Sequence, residues 1–316
     1  MLDLHHLKTK DKDLVERYIP QFCKQMCDFG FGNLYTWSVA EHTEIAESEG
    51  FLYLRSTFNG VTSYAVPWGE GDINKALQTV VDDATERECD LSFYCISEEQ
   101  LPLLKEFFGD RLCVKEQRDY FDYIYLSEAL SQLKGRKLHS KKNHVNSFIK
   151  KFNYTVEDID ASNIKECLEF SHKWHMQNES TQRLEAERQV IDCAFSKFAQ
   201  LGYRGIILRV DGRIVAYALG EPMADGKTFC THFEKASPDF PTAYAAVNKL
   251  FAEKLEKDFQ YIIVLAHHNP ISDGLTHLEN PVQRRLRNHL KKYHNYDDST
   301  HQITDSQFLP NLLYGS

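Results

Sequence analysis

The sequence predicts two α/β domains in tandem, each a mixed β-sheet flanked by helices. The chain has 316 residues, enough for two ordinary domains that each bury a core. Apolar residues recur with a period of two in some segments and near 3.6 in others, in alternating blocks. Between the halves lies one basic segment free of acids. The expected organisation is an N-terminal domain over residues 1–128, a basic connecting helix over 129–152 and a C-terminal domain over 153–316.

In the first half, residues 51–57 and 61–66 read as strands joined by the turn-forming pair Asn59-Gly60. Asp72 is placed to cap a helix in which Ile73, Ala76, Leu77, Val80, Val81 and Ala84 share one face. Strands follow at 91–96, 111–115 and 120–126, with a short helix over 98–108, all on one mixed sheet. Cys23 and Cys27 are spaced to share a helical face and are expected in the core.

The second half opens with helices at 163–174 and 187–201; Ile191, Ala194, Phe195 and Phe198 point inward, and Gly202 stops the second helix. Three strands form a meander over 204–210, 213–221 and 228–236, turning at Asp211-Gly212 and near Asp225-Gly226. After Pro238 and Pro241 a helix runs to about residue 257 on Val247, Leu250 and Phe251, and residues 260–266 read as a buried strand. Two helices, three antiparallel strands, a helix and a buried strand is the element order of an acyltransferase domain of the N-acetyltransferase (GNAT) class.

The chain is 42% apolar and 26% charged, a globular balance with no long biased segment. No apolar run is long enough to cross a bilayer and no leader-like start is present, so a cytoplasmic protein is expected. Its eight cysteines are scattered without paired spacing, which predicts reduced thiols and no zinc site. A net charge of −9 excludes wholesale nucleic-acid binding unless cations are segregated. They are: residues 134–151 hold seven Lys or Arg and no acid. Leu138, Val145, Ile149 and Phe152 recur there at helical spacing, leaving Lys137, Lys141 and His144 along another face. Such a helix suits an anion and equally suits plain solvent. Residues 283–292 form a second basic helix candidate.

Ordered motifs add a family resemblance. They include Phe31-Gly32-Asn33-Leu34-Tyr35-Thr36-Trp37, Arg118-Asp119-Tyr120, Asp122-Tyr123-Ile124-Tyr125, Lys134-Gly135-Arg136-Lys137 and Lys142-Asn143-His144-Val145-Asn146-Ser147-Phe148. Gly205-Ile206-Ile207-Leu208, Asp211-Gly212-Arg213-Ile214-Val215-Ala216, Gly220-Glu221-Pro222, His232-Phe233-Glu234-Lys235-Ala236 and Ala243-Tyr244 to Asn248 continue the series. Over residues 22–262 the chain resembles bacterial proteins related to the C-terminal domain of phosphatidylglycerol lysyltransferases. The resemblance implies two tandem GNAT-like domains joined through the basic helix, a plan shared with Fem-type aminoacyltransferases, which use aminoacyl-tRNA. Past residue 262 the chain reads Ile263-Val264-Leu265-Ala266-His267-His268-Asn269-Pro270, and only Gly274-Leu275 echoes the family.

In this fold an amine attacks a thioester or ester carbonyl, a base takes its proton and backbone amides stabilise the oxyanion. Glu221 ends one central strand and Glu234 lies in the next, with His232 on the face of Glu234 by strand alternation. These are the candidate bases, and Tyr244 at the start of the following helix is the candidate acid. Each also has a plain structural role open to it, as a salt bridge, a core histidine or a packed tyrosine. Candidate substrate- and phosphate-binding residues are Arg136, Lys137, Lys141, Lys142, Asn143, Asn146, Lys235 and Asn248. Coenzyme A is disfavoured, because no glycine occurs from Thr228 to Asp273 to wrap its pyrophosphate. The expected enzyme is a transferase that moves an acyl or aminoacyl group from aminoacyl-tRNA or an acyl thioester to an amine or hydroxyl of a lipid headgroup, peptide or metabolite. An acyl-CoA-dependent N-acyltransferase and a non-catalytic module binding RNA or anionic lipid are the alternatives. The pairs His172/His175 and His267/His268 lack acids at ligand spacing, so no metal is expected.

Overall fold

The computed structural model describes residues 2–115, 122–178 and 181–264, with the backbone of two short later strands. In chain order the elements are β1 (His5–His6), α1 (Lys12–Tyr18), α2 (Phe31–Glu41), β2 (Glu44–Ser48), β3 (Phe51–Phe58), β4 (Val61–Tyr64), β5 (Trp68–Gly69), α3 (Ile73–Glu86), β6 (Ser92–Phe93), α4 (Leu101–Phe108) and β7 (Leu112–Cys113). Then come β8 (Tyr123–Leu126), α5 (Ser127–Gln132), α6 (His139–Lys151), β9 (Tyr154–Asp158), α7 (Ile164–Met176), α8 (Gln182–Ser196), α9 (Phe198–Leu201), β10 (Arg204–Val210), β11 (Arg213–Pro222), β12 (Thr228–Ala236), α10 (Ala243–Leu255), β13 (Tyr261–Val264), β14 (Leu278–Glu279) and β15 (Leu313–Gly315). The predicted histidine pair at 267–268 and the second basic helix lie outside the described residues.

Two compact units result. One comprises Met1–Cys23, Glu41–Phe121 and Glu279–Ser316; the other comprises Lys24–Ala40 and Asp122–Leu278. In the first, the sheet runs β1-β2-β3-β4-β6-β15-β7, with β5 also paired to β3. Asn59 and Gly60 turn the β3–β4 hairpin with φ of 52° and 79°, as their dipeptide requires. The Asp72 side chain accepts the amides of Asn74 and Lys75 and caps α3, which buries Ala76, Leu77, Val80 and Ala84 against the sheet. On the same helix Asp83 is buried among cations and donors. It accepts Arg55 at 3.2 Å, Arg87 at 2.8 Å, the Tyr64 hydroxyl at 2.9 Å and the Leu2 amide at 3.3 Å.

The second unit carries the sheet β14-β8-β13-β12-β11-β10-β9, in which β12 and β13 pair in parallel. Helices α5, α6 and α10 cover one face through Leu130, Phe148, Ala246, Val247 and Phe251, packed on Ile206, Leu208, Ala216, Ala218 and Phe229. On the other face Phe170 of α7 and Phe195 of α8 meet the Tyr217 ring edge-on. The strand expected to finish the first sheet, β8, pairs instead with β13, because Ile124 and Tyr125 find apolar neighbours on both faces of the second sheet. Cys23 and Cys27 do not share a helix: a 3₁₀ turn at Gln21–Cys23 and another at Cys27–Phe29 separate them.

One irregularity positions the side chains discussed below. Leu219 of β11 faces Phe233 of β12, yet its neighbour Gly220 faces Thr231, so His232 is an extra residue in β12. A bulge of this kind reverses the alternation beyond it. His232 and Glu234 therefore do not share a face, contrary to the simple period of two.

Asp83→Asn should lower unfolding free energy by about 3 kcal/mol, the lower end for a broken buried ion pair because Arg55 keeps Glu44. Burial works to raise the Asp83 carboxyl, but Arg87 and Tyr64 outweigh it and hold it below the usual carboxylate value. Its stabilisation is therefore present at neutral pH and lost as the pH falls through that depressed value. Urea melts at neutral and acid pH check both statements; a variant with an unchanged acid dependence would contradict them.

A candidate acyl-transfer site beside a strand bulge

On the α10 side of β12, four side chains from three elements form one connected network. Asn248 donates from Nδ2 to Glu234 Oε1 at 2.8 Å, Lys141 of α6 donates to Asn248 Oδ1, and the Tyr244 hydroxyl donates to Glu234. Tyr244 and Asn248 lie four apart on α10 and so project from one face. Glu234 and Lys141 are each 5% exposed and Asn248 is 4% exposed, so the network is enclosed. Burial raises the Glu234 carboxyl above its ordinary value, against the opposing pull of Lys141 and Asn248. The same burial brings the Lys141 ammonium down to about 8, with Glu234 resisting the change. A carboxyl and an ammonium are thus both moved toward neutral pH, the arrangement acid–base chemistry needs.

The sequence reading placed Lys141 along the exposed cationic face of α6; the helix turns it inward. Its buried stripe is Lys141, Val145 and Phe148, at spacings of four and three, while Ile149 is 42% exposed. Arg136, Lys142, Asn143 and Asn146 are exposed. Of the predicted phosphate ligands on this segment, Lys137 has a side chain outside the described residues.

The opposite side of β12 holds the remaining predicted residues in two groups. Lys235 is buried; its ammonium meets both Glu187 oxygens at 2.9 and 2.8 Å and lies 4.0 Å from the centre of the Trp174 ring. His175 stands 3.4 Å from the same carboxylate, and His172 pairs with Asp192 at 2.6 Å. Glu221 accepts the backbone amides of Gly32 at 2.7 Å and Asn33 at 2.9 Å, and His232 Nε2 lies 2.9 Å from its other side. Its carboxylate thus caps the positive end of α2 while holding the bulge residue of β12. Beyond His232, Nδ1 meets Cys230 Sγ at 3.7 Å. The six polar residues Glu221, His232, Glu234, Lys235, Tyr244 and Asn248 consequently fall into separate groups on two faces of one strand.

Glu187, Trp174, Cys27 and Cys230 were not singled out as site residues by sequence reasoning. Gly30 and Gly32 were visible only as members of a motif. A Cβ on Gly32 would clash with the Tyr203 ring and lie 2.8 Å from Glu221 Oε2, which explains a glycine there. Among the described residues, Cys27, Asp28 and Asp122 bring a thiol and two carboxylates within 4.8 Å of one another, the grouping best able to approach a metal ion. Burial, then the nearby Asp28 charge, holds the Asp122 carboxyl well above the carboxylate range, which favours a protonated acid over a ligand.

With this geometry in hand, comparison with known proteins places the chain. Residues 21–297 match the family described as phosphatidylglycerol lysyltransferase, C-terminal. The chain belongs to this family. The match continues past residue 262, where the motif-by-motif resemblance stops. A conserved protein of unknown function from Bacteroides thetaiotaomicron VPI-5482 is 29% identical with a TM-score of 0.78, over 84% of this chain and 90% of that one. L-PGS from Bacillus licheniformis shares 15% identity at a TM-score of 0.55, over 85% and 82% of the two chains. FemX shares 11% identity at 0.52, over 88% and 92%. The last two likenesses concern the fold, which is GNAT-like. No curated protein matches the chain. Family and fold together make it acyl- or aminoacyl-transferase-like, and no described helix is long and apolar enough to cross a membrane.

Gly32→Ala should cost about 1–3 kcal/mol, the usual penalty for overpacking, because both neighbours are themselves buried and held. Chemical denaturation of the variant measures this; an unchanged midpoint would show that Tyr203 and Glu221 do not pack against the α2 backbone.

Proposed function

We propose that the second unit transfers an activated aminoacyl or acyl group to an amine or hydroxyl acceptor at the network around Glu234. The observation that carries the reading is the convergence of Glu234, Tyr244, Asn248 and Lys141 beside the β12 bulge. Glu234 is the base, Tyr244 the acid, and Asn248 with Lys141 orients the carboxylate. With an amine acceptor, nitrogen forms a bond to the donor's carbonyl carbon and the ester C–O bond breaks. One amine proton passes to Glu234, Tyr244 gives its proton to the leaving oxygen, and the Glu234–Tyr244 hydrogen bond returns the proton. The bulge takes a peptide group out of the ladder two residues before Glu234, where an amide is needed for the oxyanion.

Aminoacyl-tRNA is the donor this reading favours, with an acyl thioester second. Exposed Arg136, Lys142, Asn143 and Asn146 would hold phosphates of the tRNA or of an anionic lipid headgroup acceptor. The family's description supports a lysyl group and phosphatidylglycerol as first choices to test; a peptide or small metabolite is the alternative acceptor. Coenzyme A fits less well, since the segment leading into α10, Ser237-Pro238-Asp239-Phe240-Pro241-Thr242, has no glycine to let backbone amides wrap a pyrophosphate. A cytoplasmic reaction follows from the donor.

Purified protein is offered charged tRNAs and acyl thioesters with phosphatidylglycerol vesicles, peptides and amines, and labelled product is counted. Product with an ester or thioester donor is expected, falling about 10²–10⁴-fold in Glu234→Gln. Full activity in that variant removes the base, and no product from any donor removes the reading. In the active protein kcat/KM should rise as Glu234 loses its proton above the ordinary carboxylate range, and fall above about pH 8 as Lys141 loses its charge. Lys141→Met should abolish the falling limb. Replacing Arg136 and Lys142 together by Ala should weaken tRNA binding and flatten its salt dependence, because each phosphate contact releases counterions; an unchanged slope would place the tRNA elsewhere.

A further inference from the structure

The thiols of Cys27 and Cys230 take no part in the chemistry above. They lie together in a buried cluster with Ile124, Met223 and Ile263, where the Cys27 thiol has the Cys230 sulfur and the Asp122 carboxyl as its polar neighbours. Both are buried, at 2% and 0% exposure. Cys230 sits on the parallel β12–β13 pair opposite Ile263, and Cys27 opens the turn that leads into α2. Two segments far apart in sequence are thus brought into one buried cluster. The second contact of Cys230 is the His232 imidazole, 3.7 Å from its sulfur, which Glu221 grips from the far side at 2.9 Å. A thiol, an imidazole and a carboxylate are thus connected in series, with a second thiol in the same cluster.

We propose that Cys27 and Cys230 are a reversible redox pair, oxidised by peroxides to a disulfide that ties the start of α2 to the central strand. The Cys230 thiolate attacks one oxygen of the peroxide; the O–O bond breaks and the other oxygen leaves as water after taking a proton. Cys230 is then a sulfenic acid. Cys27 sulfur attacks it, the S–S bond forms, the S–O bond breaks, and a second water leaves with the Cys27 proton. Two thiols lose two electrons and two protons, and hydrogen peroxide becomes two waters. Cys230 is the attacking partner for a physical reason. Burial works to raise its thiol, but the Cys27 hydrogen bond and the His232 cation outweigh that and bring it to about 7. For Cys27 the same hydrogen bond, with burial, keeps the thiol protonated. Exposed Cys113 serves as the internal reference.

The full chain is treated with hydrogen peroxide, quenched with an alkylating agent under denaturing conditions and mapped by mass spectrometry without reduction. A peptide joining Cys27 to Cys230 is expected, lost on treatment with dithiothreitol. In Cys27→Ser, dimedone should label Cys230 as a sulfenic acid; in Cys230→Ser, Cys27 should stay a thiol. Circular dichroism melts establish that both variants fold. Recovery of Cys27 and Cys230 as separately alkylated peptides from folded, oxidised protein overturns the proposal, as does dimedone labelling of Cys27 in preference to Cys230.

Discussion

Much of the second unit depends on one carboxylate. Glu221 is buried with three hydrogen-bond partners, two of them amides at the start of α2 and the third the imidazole of His232. A buried anion is tolerated only where it is paired, and here the helix end and His232 supply the pairing. Burial disfavours the His232 cation, but Cys230 and Glu221 more than compensate and raise it to about 10. The carboxylate therefore fixes the start of α2 and, at the same time, the extra residue of β12. That extra residue decides which face each later side chain of β12 occupies. Lys235 goes to Glu187 and Trp174, and Glu234 goes to α10.

The separation has a chemical consequence. Glu234 and His232 are close in sequence and look like one acid–base pair, yet the fold isolates them. Glu234 shares its enclosure with a lysine, an amide and a phenol, and its proton affinity is set by burial and by Lys141. His232 is held between a thiol and a carboxylate and stays cationic. The transfer chemistry proposed at Glu234 and the thiol chemistry proposed at Cys230 lie on two faces of one strand and do not compete for a proton.

The order of elements in the second half was legible because its signals are local: Asp211-Gly212 for a turn, Gly202 in a left-handed C-cap at φ 72°, and an apolar stripe on α10. Glu234, Tyr244, Asn248 and Lys141 were each named from the sequence, but as bases, acids and phosphate ligands, not as one network. The inward turn of Lys141 was missed because a lysine in a basic run reads as solvated, and only its burial beside Asn248 of α10 reveals otherwise. The bulge was illegible for a different reason. Nothing in Thr231-His232-Phe233 breaks the apolar pattern, and the extra residue appears only when β12 is set against β11. Long-range neighbours such as Gly32 and Glu221, or the clustered Cys27 and Cys230, have no local signature at all.

The central claim is that Glu234 is a buried acid, its proton affinity raised by burial and held back by Lys141. Its most direct measurement is the titration of the Glu234 side-chain carboxyl by carbon-13 NMR, assigned by comparison with Glu234→Gln and repeated in Lys141→Met. The account predicts a midpoint above the ordinary glutamate value, moving further upward when the ammonium is removed. An ordinary midpoint that does not respond to Lys141→Met would contradict it.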